Sequence, residues 1–233
     1  MKIKKNYEIE MERERIAQLK IFELQAYDSG FELVAGLDEV GRGPIAGPVV
    51  AGAVILPKDF FLPGVNDSKK LSAKRREELA VHIKAYALDW SVGYVFPPYI
   101  DEINILEATK QAMYNCILAL NVQPDFLLVD AVKLNDINIE QHSLVKGDSK
   151  SISIACASIV AKIERDQSML HYDGLYPGYG FAKHKGYATK EHLEALARLG
   201  PCPLHRASFE PVKSYYGGDN NVHQPSLFGE LSN

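Results

Sequence analysis

Four acidic residues in this sequence stand where short apolar segments end. They are Asp38, Glu39, Asp130 and Asp148. Side chains at the C-terminal ends of neighbouring strands can converge on one point, and carboxylates brought together in this way repel one another strongly. Divalent cations relieve such repulsion, and Mg²⁺ or Mn²⁺ prefers oxygen ligands. Two such ions about 3.5–4 Å apart can activate a water and stabilise the leaving oxygen of a phosphodiester displacement.

The adjacent pair Asp38 and Glu39 is the most informative part of this pattern. A single Asp after a strand is commonly a turn or helix-cap residue, whereas two adjacent acids before a glycine turn have little obvious benefit for folding. The turn itself, residues 41–43 (GRG), allows positive φ angles and close backbone approach, so its N–H groups could bind a phosphate or a sugar hydroxyl. The alternative interpretation of these glycines is a tight turn between two strands.

Two basic segments could meet nucleic acid. Residues 183–190 hold three lysines and a histidine around Tyr187, and an aromatic ring beside lysines suits a sugar or base platform. Residues 69–76 are also basic, and we interpret them as a solvated helix face. The net charge of −4 argues against a protein that coats nucleic acid indiscriminately, because that mode needs an overall positive field, but it permits a local basic groove.

Strands and helices must alternate along the chain to position these residues. Apolar runs bounded by turn residues predict strands, and the run at 126–130 is typical of a strand buried on both faces in the middle of a sheet. The predicted strands are 32–40, 48–57, 89–97, 126–130 and 142–148. Helical periodicity predicts helices over 72–87, with Ser72 as N-cap, over 100–120 and over 151–167.

The two ends of the chain differ from its centre. Residues 8–28 are charged and predict a helix with a thin apolar stripe, whereas the last residues are rich in Gly, Asp and Asn. The stripe consists of Ile16, Leu19, Phe22 and Ala26. We therefore expect an N-terminal helical arm over residues 1–30, one compact core over residues 31–216 and a flexible tail over residues 217–233.

Several other classes of protein or site are excluded. The three cysteines and seven histidines show no zinc-ligand spacing, which predicts reduced structural thiols and no histidine metal site. The longest apolar run, residues 48–57, is well short of the ~20 residues that cross a bilayer, and the charged N-terminus resembles no signal peptide. We expect a cytoplasmic protein without a membrane segment, and a monomer.

Six segments, in order along the chain, resemble the bacterial ribonuclease HII family. They are GLDEVGRGPIAGPVVAGAVILP (36–57), NDSKKLSAKRRE (66–77), INILEATKQAM (103–113), LLVDA (127–131), KGDSKSISIACASIVAKIERD (146–166) and HKGYATKEH (184–192). The resemblance implies an α/β ribonuclease H-like fold, with a mixed central β-sheet flanked by helices and a small helical C-terminal part. It also implies that residues 31–216 form the catalytic domain.

The resemblance further implies an activity and a site. The four acids would be catalytic and would hold two Mg²⁺ or Mn²⁺ ions. The enzyme would hydrolyse the RNA strand of RNA/DNA hybrids and incise 5′ to ribonucleotides embedded in duplex DNA, leaving a 3′-hydroxyl and a 5′-phosphate. This chemistry belongs to ribonucleotide removal during DNA replication and repair.

Residues that bind the substrate are implied as well. The 41–43 turn matches the family's loop that senses the ribose 2′-hydroxyl, and an aromatic residue matches the tyrosine that stacks on the sugar of the following deoxynucleotide. The 2′-hydroxyl is the group that separates RNA from DNA at a given position. Two lysines would meet phosphates. The implied residues are Gly41, Arg42, Gly43, Tyr187, Lys150 and Lys185.

Other interpretations remain at this stage. A sibling family, ribonuclease HIII, normally carries a folded N-terminal domain and a Glu at the position of Asp148. The roughly 30 residues before the core cannot supply such a domain, and this chain has Asp at that position, so both points favour HII. Another metal nuclease of the same fold, such as a junction resolvase or a transposase-like enzyme, would also use acids at strand ends. A non-catalytic nucleic-acid-binding module would use the GRG turn but leaves the acids unexplained, because free carboxylates repel phosphate.

The tail carries one further motif. Residues 224–228, QPSLF, resemble the short segment by which bacterial replication and repair proteins dock on the DNA sliding clamp, with Gln224, Leu227 and Phe228 as anchors. The alternative is a chance match in a polar tail.

Overall fold

The computed structural model describes residues 2–216. The predicted tail over residues 217–233, including the clamp-like motif at 224–228, lies outside the described residues. Within residues 2–216, no helix combines the length and the apolar character needed to cross a membrane.

Five strands form a mixed sheet at the centre of the fold. They are β1 (Val34–Val40), β2 (Val49–Ile55), β3 (Asp89–Val95), β4 (Phe126–Asp130) and β5 (Glu140–Leu144), in the spatial order β3-β2-β1-β4-β5. The first three strands pair antiparallel: β1 and β2 are joined by the short connection at 41–48, whereas residues 56–88, which include a helix, separate β2 from β3. In contrast, β1 pairs parallel with β4, and β4 parallel with β5. The prediction that 126–130 is a mid-sheet strand is confirmed.

Within residues 2–216 the chain forms eight α-helices, several of which cover the two faces of the sheet. They are α1 (Lys2–Leu19), α2 (Ile21–Asp28), α3 (Ala73–Tyr86), α4 (Pro97–Ile103), α5 (Ile105–Leu118), α6 (Ile152–Leu175), α7 (Phe181–His184) and α8 (Lys190–Leu199). On one face, strand residues such as Leu37 pack on Met113 of α5. On the other face, residues such as Val54 pack with α6 and with Leu79 of α3. The mixed α/β sheet flanked by helices, with a small helical C-terminal part, agrees with the expected architecture.

Glycines let α6 lie directly on the strands that carry the acids. A Cβ atom on Gly36 of β1 would stand 2.1 Å from the backbone carbon of Ser153, and one on Gly52 of β2 would stand 2.7 Å from the carbonyl oxygen of Ala157. Small residues of α6 face these glycines, as predicted, so the helix backbone and the sheet backbone touch. This contact fixes the height of α6 above the ends of β1 and β4.

The N-terminal helices are fastened to the same helix. Glu23 of α2 is buried, and its Oε1 accepts hydrogen bonds from the Ser151 hydroxyl at 2.5 Å and from the Ser153 backbone N–H at 3.0 Å. A carboxylate at the N-terminus of a helix is favoured by the helix dipole and by the free N–H groups there. In the predicted apolar stripe, Ile16, Leu19 and Ala26 are buried and Phe22 is half-buried.

Three predicted helix features are wrong. The segment 100–120 is two helices, because Asn104 adopts φ 69° and its side chain caps α5 by accepting from the N–H of Leu106. The segment 8–28 is also two helices, which begin at Lys2 and break at Lys20. The helix capped by Ser72 is confirmed, but Tyr86, which was expected on its buried face, is 64% exposed.

The predicted strand ending at Asp148 is wrong as well. Strand β5 ends at Leu144, and Asp148 lies in a 3₁₀ turn at Gly147–Ser149. Lys146 adopts a left-handed backbone with φ 57°, which ends the extended conformation. The N–H of Gly147 then donates to Asp130 Oδ1 at 2.6 Å instead of joining a strand ladder.

Candidate active site

Strand register brings Asp38 and Asp130 together. Leu37 of β1 stands opposite Val129 of β4 in the parallel pair, so the next residue of each strand is one of the two acids. Side chains alternate along a strand, and because Leu37 and Val129 face α5, both acids face α6. One oxygen each of Asp38, Glu39 and Asp130 lies within 4.8 Å of the others.

Asp38 is the most deeply buried of these acids. It is 5% exposed, and its Oδ1 accepts the backbone N–H of Glu39 at 2.7 Å. Burial and then the neighbouring Glu39 carboxylate raise the pKa of Asp38 well above its ordinary value, against the opposing effect of a hydrogen bond from Ser158 of α6. A proton or a cation is therefore favoured at this carboxylate.

Glu39 is half-buried and incompletely paired. Its Oε1 lies 3.6 Å from Arg42 Nη1, whereas its Oε2 is buried and receives no hydrogen bond from any residue that the structure describes. Burial raises the pKa of Glu39, Arg42 lowers it, and Asp130 raises it. A buried carboxylate oxygen without a donor, beside two other carboxylates, fits a divalent cation with oxygen ligands.

Asp148 lies beside this trio through the hydrogen bond from Gly147 to Asp130. It is half-buried and outside the group of three whose oxygens converge. Burial and then Asp67 and Asp130 raise its pKa, and Lys69 lowers it. The structure thus brings three of the four predicted acids together and sets the fourth at their edge.

Sequence reasoning missed two charged neighbours, Asp67 and Lys69. Burial disfavours the charged form of Lys69, but Asp38 and Asp148 outweigh this effect and raise its pKa. Lys69 is therefore within electrostatic reach of the acids, although the segment 69–76 is predicted to be a solvated helix face. The signal that could have found these residues is the polar segment 66–70 immediately before a capped helix, where a charged loop can fold back on the sheet.

The 41–43 turn and Tyr187 share one surface. Gly41 is buried with φ 92°, whereas Arg42 and Gly43 are exposed. A Cβ atom on Gly43 would stand 3.9 Å from Tyr187 Cε1, so the ring of Tyr187, which is 44% exposed, borders the turn. The two substrate-contacting features predicted from the sequence are neighbours in space.

The two predicted lysines differ in their surroundings. Lys150 is exposed and lines a groove of about 450 Å³ together with Arg15 and Lys70. Lys185 is half-buried, and its ammonium donates to the carbonyl oxygen of Ala182 at 2.6 Å. Burial lowers the pKa of Lys185. Lys150 is thus open to a phosphate, whereas Lys185 already has an internal partner.

Known proteins share the sequence of this chain along most of its length. The family model described as Ribonuclease HII matches residues 35–212. A ribonuclease HII of Syntrophomonas wolfei is 59% identical over 217 residues, which cover 93% of this chain and 85% of that protein. The chain belongs to the ribonuclease HII family. The ribonuclease HII of Clostridioides difficile is 54% identical over 206 residues, which cover 88% of this chain and 81% of that protein.

Solved structures share the fold. The ribonuclease H2 of Pyrococcus horikoshii matches with a TM-score of 0.64 and 27% identity over 78% of this chain and 96% of that one. The ribonuclease HII of Archaeoglobus fulgidus, solved in a complex with PCNA, matches with a TM-score of 0.65 and 29% identity over 76% of this chain and 95% of that one. The ribonuclease H3 of Aquifex aeolicus, at 20% identity and a TM-score of 0.57, shares the fold alone.

The ribonuclease H-like α/β fold expected from the sequence is confirmed. The chain is a ribonuclease H, an endonuclease of the hydrolase class. Membership in the ribonuclease HII family also decides against the junction-resolvase, binding-module and HIII interpretations.

Proposed function

We propose that this ribonuclease H cleaves the RNA strand of RNA/DNA hybrids and incises 5′ to ribonucleotides embedded in duplex DNA, leaving a 3′-hydroxyl and a 5′-phosphate. It would act as a cytoplasmic monomer in ribonucleotide removal during replication and repair. The observation that carries this proposal is the juxtaposition of the three converging carboxylates with the 41–43 turn, whose Arg42 contacts Glu39, and with Tyr187.

The acids are proposed to be the catalytic residues and the ligands of Mg²⁺ or Mn²⁺. Asp38, Glu39 and Asp130 offer converging oxygens, and Asp148, which follows the Gly147 that donates to Asp130, would complete a second position. When bound, two divalent ions supply an activated water and charge stabilisation for the leaving oxygen. The buried Glu39 Oε2, which lacks a donor among the described residues, supports this assignment.

The 41–43 turn and Tyr187 are proposed to read the sugar. Arg42 and Gly43 are exposed and would offer backbone N–H groups to a ribose 2′-hydroxyl, and the buried Gly41 supplies the positive φ of the turn. This hydroxyl is what separates RNA from DNA. The ring of Tyr187 offers an apolar face for the sugar of the next nucleotide, where a second hydroxyl would fit poorly. The combination suits a single ribonucleotide followed by DNA.

Cationic side chains are proposed to meet the phosphates. Lys69 has a raised pKa and is exposed near the acids, so it stays charged at neutral pH. It would attract a phosphate near the scissile bond. Lys150 would hold the strand along the groove that it lines. Lys185 would contribute only if it gave up its bond to the Ala182 carbonyl.

A docking partner is proposed for the tail. Gln224, Leu227 and Phe228 would anchor the chain on the DNA sliding clamp, and the archaeal relative solved with PCNA supports a link between this family and clamps. The test is a pull-down of the clamp by the full chain and by a chain lacking residues 222–233. Equal capture by both would reject the idea.

The catalytic proposal is tested by mapping incision. The purified chain is incubated with Mg²⁺ or Mn²⁺ and a labelled DNA duplex containing one ribonucleotide, beside an all-DNA duplex of the same sequence and the Asp130→Asn variant. We expect metal-dependent incision only on the 5′ side of the ribonucleotide, and none by the variant. Equal cutting of both duplexes, or cutting elsewhere, would contradict the proposed substrate.

A further inference from the structure

Arg206 is fully buried and is aimed at the backbone of the 41–47 loop. Its Nε and Nη2 donate to the carbonyl oxygen of Gly47 at 3.1 and 2.9 Å, Nη2 donates to that of Gly41 at 2.5 Å, and Nη1 donates to that of Arg42 at 2.8 Å. The guanidinium charge is thus solvated by the carbonyl groups of one loop. Burial and the neighbouring Arg165 lower the pKa of Arg206 to about 9, so it remains a cation at neutral pH.

These bonds determine which way the loop's N–H groups point. In a planar trans peptide unit the C=O and N–H bonds point in opposite directions. The carbonyl of Gly41 shares its unit with the N–H of Arg42, and the carbonyl of Arg42 shares its unit with the N–H of Gly43. Because both carbonyls point inward to Arg206, both N–H groups point outward to the exposed side.

The outward N–H groups are free to bind a ligand oxygen. Within residues 2–216, neither the N–H of Arg42 nor that of Gly43 donates a hydrogen bond. Successive N–H groups that point the same way form a concave site for an electronegative oxygen. Tyr187 borders the same surface beside Gly43.

A second buried arginine supports the loop from below. Arg165 of α6 donates from Nε to the carbonyl oxygen of Pro48 at 2.9 Å. It lies directly beneath Gly41, where a Cβ atom would stand 2.2 Å from Arg165 Nε. The loop is therefore held between α6 and the C-terminal segment that carries Arg206.

We propose that Arg206 is a positioning residue for sugar recognition: by turning the carbonyls of Gly41, Arg42 and Gly47 inward, it presents the N–H groups of Arg42 and Gly43 to the ribose 2′-hydroxyl. This inference rests on the proposed function, because it takes the loop to be the part that reads the ribose. Only a planar guanidinium reaches three carbonyls at once; a lysine keeps the charge but concentrates it at one point.

The test compares two quantities in one set of duplexes. The first is kcat/KM for a DNA duplex containing one ribonucleotide, and the second is the inhibition constant of the matching all-DNA duplex as a competitor. For Arg206→Lys we expect kcat/KM to fall about 10- to 100-fold, the scale of a misplaced recognition group. The inhibition constant should stay within about 2-fold, because the all-DNA duplex has no hydroxyl at that position.

Arg75→Lys is the matched control. Arg75 also donates to a loop carbonyl, that of Pro63 at 2.8 Å, but in a different loop, and it is partly exposed. This variant should leave both quantities unchanged. The proposal is overturned if Arg206→Lys weakens binding of the all-DNA duplex as much as it lowers kcat/KM, or if kcat/KM is unchanged. Failure of the wild-type chain to prefer the ribonucleotide would instead count against the proposed function.

A measurement on the wild-type chain covers the case in which Arg206→Lys does not fold. Guanidinium protons held by buried carbonyls exchange slowly with solvent, and NMR resolves the Nε proton of each arginine. We expect the Arg206 Nε proton to exchange at least about 10-fold more slowly than that of the partly exposed Arg75. Exchange at similar rates would mean that the loop is not held by Arg206.

Discussion

Asp38 and Asp130 reach each other through the register of a parallel strand pair, whereas the 41–47 loop next to them is held by side chains. The acids need only the pairing of Leu37 with Val129 to stand side by side. The loop depends on Arg206, which lies 159 to 165 residues away along the chain from the carbonyls it binds. One half of the site therefore follows from backbone geometry, and the other half follows from long-range hydrogen bonds.

Under the proposed function, this difference separates the chemical step, at the acids, from the choice of substrate, at the loop. The carboxylates crowd together with raised pKa values at Asp38, Glu39 and Asp148, which suits cation binding. The loop presents N–H groups and a neighbouring ring, which suit a sugar. A change to the acids should remove cleavage of every substrate, and a change to the loop side should alter which substrate is cleaved.

The largest effect is expected when a carboxylate is removed. Asp38→Asn or Asp130→Asn should lower cleavage by more than about 100-fold, because loss of a residue that only supports a metal ligand already costs 10- to 100-fold. The metal-free variant should melt no lower than the metal-free wild type, since one of several mutually repelling carboxylates is lost. Steady-state cleavage and thermal melting check both parts. Near wild-type cleavage by both variants would contradict the assigned acids.

The next effect concerns the contact that sets α6 above the sheet. Gly36→Ala places a Cβ 2.1 Å from the backbone of Ser153, a clash that neither backbone can avoid. We expect a loss of about 3 kcal/mol in the free energy of unfolding, at the upper end for overpacked cores. Urea unfolding measures it.

A second glycine provides the control. Gly174 lies in α6 itself, and a Cβ there would meet nothing within 4 Å. Gly174→Ala should therefore stabilise the chain by about 0.5 kcal/mol through the lower entropy of its unfolded state. Equal effects of the two substitutions would contradict the close packing of α6 on β1.

The two halves of the site also differ in how far the sequence predicts them. The sequence predicts that Asp38, Glu39 and Asp130 lie together, because side chains at the C-terminal ends of neighbouring strands converge on one edge of the sheet. Asp148 was predicted at a strand end but arrives in a turn, because Gly147 bonds to Asp130 instead of extending β5. A hydrogen bond from a backbone N–H to a side chain, in place of one to a neighbouring strand, does not change the pattern of apolar and polar residues in the sequence.

The hydrogen bonds by which two buried arginines hold the 41–47 loop could not be predicted from the sequence. Arg165 and Arg206 bind backbone carbonyls, which every residue has, so no pattern of residue types marks their acceptors. In a sequence, both arginines look like surface residues, because arginine is almost never fully buried unless it is paired. Their role becomes visible only when the fold brings distant segments together.

Tyr187 tests the selective half of the site with a smaller effect. Tyr187→Ala should weaken the preference for a ribonucleotide followed by DNA over an uninterrupted hybrid by about 10-fold, the scale of one lost stacking contact. Tyr187→Phe keeps the ring and should preserve the preference. The measurement is the ratio of kcat/KM for the two substrates. An unchanged ratio in the alanine variant would argue against contact between this ring and the sugar.

The smallest effect concerns the histidines that hold the Tyr187 segment. His192 Nδ1 lies 2.8 Å from the carbonyl oxygen of Tyr187, so that nitrogen carries the proton, and His192 Nε2 accepts from His205 Nε2 at 3.1 Å. Protonating both rings would set two N–H groups against each other. Burial, and for His205 also the neighbouring His192, lowers the pKa of both rings from 6.5 to about 4.

Stability should therefore depend on pH in a definite direction. Above pH 6.5 the histidines are neutral in both the folded and the unfolded chain, so they add no slope. As pH falls below 6.5, these histidines become protonated in the unfolded chain, whereas in the folded chain they stay neutral until about pH 4. The free energy of unfolding therefore declines as pH falls through this range. Urea unfolding between pH 7.5 and 5.5 should show this decline for the wild type and for a control at the exposed His82, His82→Gln. His192→Gln should show a shallower slope, because one of the two groups is gone; a slope equal to that of the wild type would mean that His192 is not held neutral beneath Tyr187.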